Sequence, residues 1–127
     1  MKLAYVDSSC LVAIAFDESD SKETRERLTG FGRLLSSNLL EAELRSALSR
    51  EGVMEDCAPL LSWIGWVHPD RPLTTEYRAI LGRGHARGAD LWHLACALFL
   101  KGRLGELTFV TLDRRQRDLA RALAFDV

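Results

Sequence analysis

The segment Leu3-Ala4-Tyr5-Val6-Asp7 decides the predicted fold, because this short apolar run stops at an aspartate and a helix-like segment follows at once. The same arrangement recurs near the other end of the chain, where residues 107–113 read LTFVTLD. Short apolar runs of this kind are typical of buried parallel strands. Parallel strands end at the same edge of a sheet, where open α/β folds bind their ligands. We therefore expect Asp7 and Asp113 to face one cleft.

Two carboxylates in one cleft repel each other unless protons or a metal ion compensate their charge. The pattern therefore raises the question of whether a cation lies between Asp7 and Asp113. A simpler explanation also applies to each residue, since an aspartate directly before a helix often caps it. Ser8 or Ser9 would cap the first helix equally well, so capping explains Asp7 less completely than Asp113.

Between the two aspartates, predicted strands alternate with predicted helices. The strands cover residues 2–6, 33–37, 66–68 and 107–112, and the helices cover residues 8–16, 22–31, 39–50, 58–64, a segment opening at 75, 90–101 and 114–123. Such alternation favours a parallel sheet covered by helices on both faces and joined by right-handed crossovers. The predicted fold class is α/β, as a three-layer α/β/α sandwich with a central parallel sheet.

The size and composition of the chain restrict the protein class. A length of 127 residues with 47% hydrophobic content suits one compact domain, so we predict a single domain over residues 1–127. The longest nearly apolar stretch, residues 91–100, is far shorter than the roughly 20 residues that span a bilayer. Asp7 arrives before a signal-peptide core of usual length, and three widely spaced cysteines fit reduced core thiols. We expect a cytoplasmic protein with no membrane segment.

Asp90 and Glu43 are two further candidates for the cleft. Asp90 stands four and eight residues before Leu94 and Leu98, so it begins the buried stripe of a helix, although capping also explains it. On a helical wheel of about 100° per residue, Glu43 lies nearer the apolar stripe than Glu41 and is better aimed at a cleft. Taken alone, either glutamate is ordinary helix surface.

Four motifs occur in the order and at the spacings of a known family. They are Tyr5-Val6-Asp7-Ser8-Ser9, Glu43-Leu44-Arg45 with Ala47, Ala89-Asp90-Leu91-Trp92-His93-Leu94-Ala95, and Val110-Thr111-Leu112-Asp113. In this combination the chain resembles PIN-domain proteins of the VapC toxin type over essentially its whole length. Each motif is weak alone, whereas four in order are far more specific.

The resemblance implies an α/β/α sandwich whose acidic pocket carries out divalent-metal-dependent cleavage of RNA. The implied catalytic residues and metal ligands are Asp7, Glu43, Asp90 and Asp113. Ser8, Ser9 and Thr111 match hydroxyl positions beside that pocket in the family, where they position a metal-bound water or a carboxylate. The resemblance also implies a homodimer and a cognate VapB-like antitoxin that holds the toxin inactive.

The chemistry of the implied pocket favours Mg²⁺ or Mn²⁺, as one or two ions. Sites built only from carboxylates suit these hard ions, whereas zinc prefers histidine and cysteine. His68, His85 and His93 form no ligand spacing. We therefore predict a metal-dependent endoribonuclease, a hydrolase acting on phosphodiester bonds.

Charge is divided unevenly along the chain, which bears on the expected RNA substrate. Residues 1–70 hold 7 basic and 12 acidic side chains, net −5, whereas residues 71–127 hold 10 and 6, net +4. Most basic residues are arginines, whose planar fork suits phosphate oxygens. The arginines nearest the motif acids are Arg87, Arg114 and Arg115, our candidates for RNA binding, although basic residues are also ordinary solvated surface.

Three other protein classes remain as alternatives. A phosphatase would use Asp7 as its nucleophile, but Ser9 stands where the common phosphatase pattern has a second aspartate. A phosphate-accepting receiver domain would need an acidic pair after its first strand, whereas here Asp7 stands alone after the first strand. A catalytically silent PIN-like binding module would keep the fold for partner contact, against which the retention of all four acids speaks.

Overall fold

A four-stranded parallel sheet forms the centre of the computed structural model, which describes residues 1–53 and 55–127. The strands are β1 (Leu3–Val6), β2 (Arg33–Ser37), β3 (Ile64–Val67) and β4 (Thr108–Val110). Their spatial order is β3-β2-β1-β4, and each neighbouring pair is parallel. All four strands therefore end at the same edge of the sheet.

Helices cover both faces of this sheet. They are α1 (Ser8–Ala15), α2 (Ser21–Thr29), α3 (Leu39–Arg50), α4 (Ala58–Leu61), α5 (Thr74–Leu81), α6 (Gly88–Leu104) and α7 (Arg114–Ala122). Apolar residues of α1 to α4 pack on one face with Ala4 and Val6, whereas those of α5 to α7 pack on the other with Tyr5 and Phe109. Successive residues of β1 thus pack into the cores on opposite faces of the sheet, as expected for a strand buried on both faces. The predicted α/β/α sandwich is confirmed.

The position of β1 determines where a ligand can enter. The chain passes from β1 to β2 and β3 on one side, and β4 returns to the other side of β1. Strand order therefore reverses between β1 and β4, and open α/β sheets bind ligands in the crevice at such a point. The backbone N–H of Asp7 donates to the carbonyl of Val110 at 3.3 Å, so the two strand ends are joined there.

Helix α6 begins earlier and ends later than the sequence indicates. It starts at Gly88, because glycine is tolerated in a first turn whose N–H groups lack helical partners anyway. It continues to Leu104 and stops at Gly105, whose backbone φ of 85° is rarely adopted by residues other than glycine. Arg87 is the N-cap, and Asp90 lies inside the first turn. Capping is therefore the wrong explanation for Asp90.

The segment before β3 also differs from its prediction. The helix predicted to reach residue 64 ends at Leu61, and the strand predicted from residue 66 begins at Ile64. Ile64 pairs with Leu34 of β2, so sheet pairing and burial outweigh the helical preference of this short apolar stretch. Within the described residues, no helix has both the length and the apolar character needed to cross a membrane.

Candidate metal and nucleic-acid site

Asp7 follows β1 directly and caps α1, so its carboxylate is fixed at the edge of the sheet. The side chain is 5% exposed. Its Oδ1 accepts from the Ser9 backbone N–H at 3.1 Å and from the Ser9 hydroxyl at 2.5 Å. Its Oδ2 accepts from the Thr111 hydroxyl at 2.5 Å. Burial raises the pKa of Asp7 above its ordinary value, while the hydrogen bonds from Ser9 and Thr111 act in the opposite direction.

The two hydroxyls that hold Asp7 also join the end of β1 to the chain beyond β4. Ser9 Oγ accepts from the backbone N–H of Leu112 at 2.9 Å, and Thr111 Oγ1 accepts from that of Asp113 at 3.0 Å. The two hydroxyl oxygens lie 3.3 Å apart. Ser9 and Thr111 thus act as structural links beneath the carboxylate, and Ser8 lies beside them at the rim of the cleft.

Asp113 and Asp90 lie at the starts of two neighbouring helices. Asp113 caps α7, and its side chain accepts from the Gln116 backbone N–H at 3.0 Å. The Gln116 side chain in turn donates to the Asp90 backbone carbonyl at 3.0 Å, which ties α7 to the start of α6. Partial burial, followed by the negative charges of Asp113 and Glu43, raises the pKa of Asp90. The ionised form of Asp90 is therefore disfavoured by its acidic neighbours.

The two glutamates of helix α3 point in different directions. Glu41 lies on the surface, where it pairs with Arg45 at 2.7 Å. Glu43 turns toward the sheet edge, and its Oε1 lies 2.5 Å from His93 Nε2. The helical wheel therefore distinguishes these residues correctly, because their angular positions around the helix decide which carboxylate reaches the cleft.

His93 is a site residue that the sequence pattern does not reveal as such. It is 1% exposed on α6, and its other ring nitrogen, Nδ1, lies 2.8 Å from the hydroxyl of Tyr5. The signal available in the sequence is a histidine on an apolar helix, three residues after Asp90. A search for zinc-ligand spacing does not detect such a residue, because both ring nitrogens of this histidine contact side chains that are distant in the sequence.

The four predicted acids line one cavity of about 530 Å³ at this edge of the sheet. Its wall includes Asp7, Ser8, Ser9, Glu43, Asp90, His93 and Asp113. Yet no three His, Cys, Asp or Glu side chains of residues 1–53 and 55–127 come close enough together to hold an ion. The acids line one cavity without clustering because two of them are bound to other side chains. Hydroxyls hold the Asp7 carboxylate, and an imidazole holds the Glu43 carboxylate.

A hard divalent cation suits this donor set. Four carboxylates surround the cavity, and oxygen ligands of that kind favour Mg²⁺ or Mn²⁺. The raised pKa of Asp90 reflects a repulsion that a cation would relieve. The residues present therefore fit the metal by the chemistry of their donors, which are all carboxylate oxygens.

A second cavity, of about 430 Å³, shares Asp90 and Asp113 with the first. Three basic side chains line it, namely His85, Arg87 and Arg115. Arg114, the third arginine predicted to contact RNA, lines neither of these two cavities. The acidic cavity thus shares Asp90 and Asp113 with this second cavity, here called the basic cavity after Arg87 and Arg115.

The architecture places the chain among α/β proteins with an acidic cleft at a strand-order reversal. The PIN domain family profile matches residues 4–122, so the chain belongs to the PIN domain family. PIN domains are generally metal-dependent nucleases that act on RNA or DNA. No curated protein matches the chain significantly.

Proposed function

We propose that the protein is a divalent-metal-dependent endoribonuclease that hydrolyses RNA phosphodiester bonds. The observation that carries this proposal is the convergence of Asp7, Glu43, Asp90 and Asp113 on one cavity, from four separate elements of the fold. A single carboxylate at a helix start is explained by capping, but capping does not account for Glu43 or Asp90.

The four acids would hold Mg²⁺ or Mn²⁺, as one or two ions. When bound there, such an ion would supply Lewis-acid chemistry, activating a water and offsetting negative charge on the phosphodiester. Ser9 and Thr111 fix the Asp7 carboxylate at the edge of the sheet, where it lines the acidic cavity. Asp90 and Asp113 stand on the wall shared with the basic cavity and therefore lie nearest the approaching strand.

Arg87 and Arg115 are the proposed phosphate contacts. Both line the basic cavity, and neither has an ion-pair partner within the described part of the chain. A guanidinium without a carboxylate partner keeps its donors available to phosphate oxygens. His85 lines the same cavity and adds a third donor. Arg114 is exposed outside the cavity and is the weakest of the arginine candidates.

Biologically, we propose a toxin of the VapC type that forms a homodimer and is neutralised by a cognate VapB-like antitoxin. Support comes from the order of the four sequence motifs and from the acidic cavity at the edge of the sheet. Partly exposed aromatic side chains, including Trp63 and Trp66, offer apolar surface of the kind that protein partners bury.

The decisive experiment uses purified protein freed from any antitoxin. Single-stranded or looped RNA should be cleaved when Mg²⁺ or Mn²⁺ is added, and a chelator should stop the reaction. Asp7→Asn should abolish cleavage, whereas Asp70→Asn should not, since Asp70 pairs with Arg103 on the surface. Cleavage that survives chelation or Asp7→Asn would contradict the metal-nuclease mechanism. Single-stranded DNA of the same sequence, tested in parallel, distinguishes a ribonuclease from a general nuclease.

A silent PIN-like binding module is the second candidate. The absence, among the described residues, of three acids already gathered at ligand distance favours it. Calorimetry with Mn²⁺ separates the two functions, because a module that lost catalysis need not bind the ion. A phosphatase with Asp7 as nucleophile is less favoured still, since both oxygens of that carboxylate already accept hydrogen bonds from hydroxyls.

A further inference from the structure

A chain of hydrogen bonds runs through the core from β2 to the Glu43 carboxylate. The backbone N–H of Ser37 donates to the Tyr5 hydroxyl at 3.2 Å, and that hydroxyl lies 2.8 Å from His93 Nδ1. His93 Nε2 lies 2.5 Å from Glu43 Oε1. Tyr5, Ser37 and His93 are buried, and Glu43 alone is partly exposed. The chain therefore connects the interior of the sheet to the acidic cavity.

The direction of each hydrogen bond follows from the donors available. Ser37 supplies an N–H, so the Tyr5 oxygen accepts there and its single proton points elsewhere. The Tyr5 hydroxyl already accepts from Ser37, so its own proton is directed to His93 Nδ1 at 2.8 Å. A neutral imidazole that accepts at Nδ1 carries its proton on Nε2, which then donates to Glu43. One tautomer of His93 satisfies every partner.

The surroundings prevent this arrangement from rotating. The Tyr5 ring stacks on Phe109, with centroids 5.6 Å apart, and meets the His93 ring edge-on at 5.8 Å. The Ser37 hydroxyl accepts from Trp92 Nε1 at 3.0 Å, which ties β2 to α6. Tyr5 and His93 are thus held by packing as well as by hydrogen bonds, and the imidazole presents its Nε2 in one direction.

We propose that His93 is a positioning residue that holds the Glu43 carboxylate in the orientation in which it binds a divalent cation. One carboxylate oxygen receives the imidazole proton, and the other remains available to the cavity. A glutamate on a helix otherwise samples many rotamers, and the conformational entropy lost when an ion orders it opposes ion binding. Partners of this kind, which orient a metal-binding side chain, typically change metal affinity about 10–100-fold when removed. This inference rests on the proposed metal-dependent function.

Two substitutions at His93 separate positioning from bulk. His93→Leu introduces an apolar side chain of roughly similar size that loses both hydrogen bonds, and it should weaken Mn²⁺ binding about tenfold or more in calorimetry. His93→Gln retains one donor and one acceptor and should restore most of the affinity. His68→Gln, at an exposed position, is the matched control and should leave the affinity unchanged. Unchanged Mn²⁺ affinity in a folded His93→Leu protein overturns the proposal.

A double-mutant cycle tests whether His93 acts through Glu43. His93→Leu should have almost no further effect on Mn²⁺ affinity in a Glu43→Gln background, because the carboxylate that it orients is gone. Equal losses in both backgrounds would mean that His93 supports the structure generally, which overturns the proposal. Glu41→Gln serves as the matched background, since Glu41 lies on the outer face of the same helix.

The wild-type protein offers a test that does not depend on the folding of a variant. Long-range ¹H–¹⁵N correlation spectra should find the His93 proton on Nε2 and none on Nδ1. A proton on Nδ1 alone overturns the proposal. Calorimetry also distinguishes the two levels of inference. If the wild-type protein binds no Mn²⁺, both the proposed metal-dependent function and the role of His93 are contradicted. If Asp7→Asn abolishes Mn²⁺ binding but His93→Leu leaves it intact, only the role of His93 is contradicted.

Discussion

Thr111 donates from its hydroxyl to Asp7 Oδ2 at 2.5 Å, across 104 residues of sequence. The two residues follow adjacent parallel strands, so the carboxylate of one strand end is held by the hydroxyl of the other. Removing either group therefore changes both the stability of the sheet edge and the geometry of the acidic cavity.

Thr111→Val should test the structural part of this relationship. The substitution preserves the shape of the side chain but leaves Asp7 Oδ2 without its buried donor, and it removes the acceptor for the Asp113 backbone N–H. The free energy of unfolding should fall by about 1–3 kcal/mol, measured by urea denaturation. Thr29→Val, where the hydroxyl is exposed, is the control and should change stability by less than about 0.5 kcal/mol. Equal effects at both positions would contradict the role assigned to Thr111.

Asp90→Asn should stabilise the protein when no metal is present. Burial and the charges of Asp113 and Glu43 raise the pKa of Asp90, so ionisation of this carboxyl opposes folding at neutral pH. The gain should not exceed about 1 kcal/mol, because the side chain is partly exposed and solvent screens the repulsion. The same substitution should reduce the rise in Tm that saturating Mn²⁺ produces. Lower stability of metal-free Asp90→Asn would contradict this electrostatic account.

Arg87→Ala and Arg115→Ala should each weaken RNA binding, since both side chains line the basic cavity. For every phosphate that the protein no longer neutralises, the slope of log affinity against log salt should become shallower by about 0.7 for a single strand. The measurement uses the Asp7→Asn background, so that RNA is bound without being cut. Arg114→Ala is the matched control outside the cavity and should change the slope less. A larger effect at Arg114 would place the RNA path elsewhere on α7.

Glu76→Gln should reveal a pH-dependent contribution away from the site. The two terminal nitrogens of the Arg71 guanidinium each donate an N–H to Glu76, at 2.9 and 2.7 Å, and these bonds lower the pKa of that carboxyl. A carboxyl whose pKa is lowered by folding stabilises the fold at pH values above its pKa in the unfolded state. This stabilisation disappears as the pH falls through its pKa in the folded state. The Tm difference between wild type and Glu76→Gln should therefore be present at pH 7 and shrink below about pH 4. A difference independent of pH would mean that packing, rather than charge, distinguishes the two proteins. Exposed Glu106→Gln provides the comparison.

The parts of the fold that could be predicted from sequence are those with a strong local pattern. The apolar runs before Asp7 and Asp113 are short, nearly uninterrupted and followed by helices, and both strands form. Glu43 could be preferred over Glu41 because helical direction depends only on spacing. The predicted start of β3 is wrong, because Ile64 is recruited by its partner Leu34, and no local pattern encodes a partner in another strand.

Within the site, the hydrogen-bond partners of the acids could not be predicted from the sequence. His93 and Glu43 lie 50 residues apart and meet only because α3 and α6 approach the same sheet edge. The sequence indicates that Tyr5 belongs to a strand, but the direction of its hydroxyl depends on what packs against that face of the sheet. Contacts of this kind depend on tertiary packing, whereas the sequence pattern indicates mainly which residues are buried.

The location of β4 beside β1 has a consequence for how the protein is made. Residues 1–105 contain three of the four strands and three of the four acids, but β1 then has an unpaired edge at the centre of the finished sheet. A growing or truncated chain of that length exposes backbone donors and acceptors that invite pairing with other chains. It also lacks the hydroxyl that holds Asp7. Completion of the cleft therefore coincides with closure of the sheet, because the segment that pairs with β1 also carries Thr111 and Asp113.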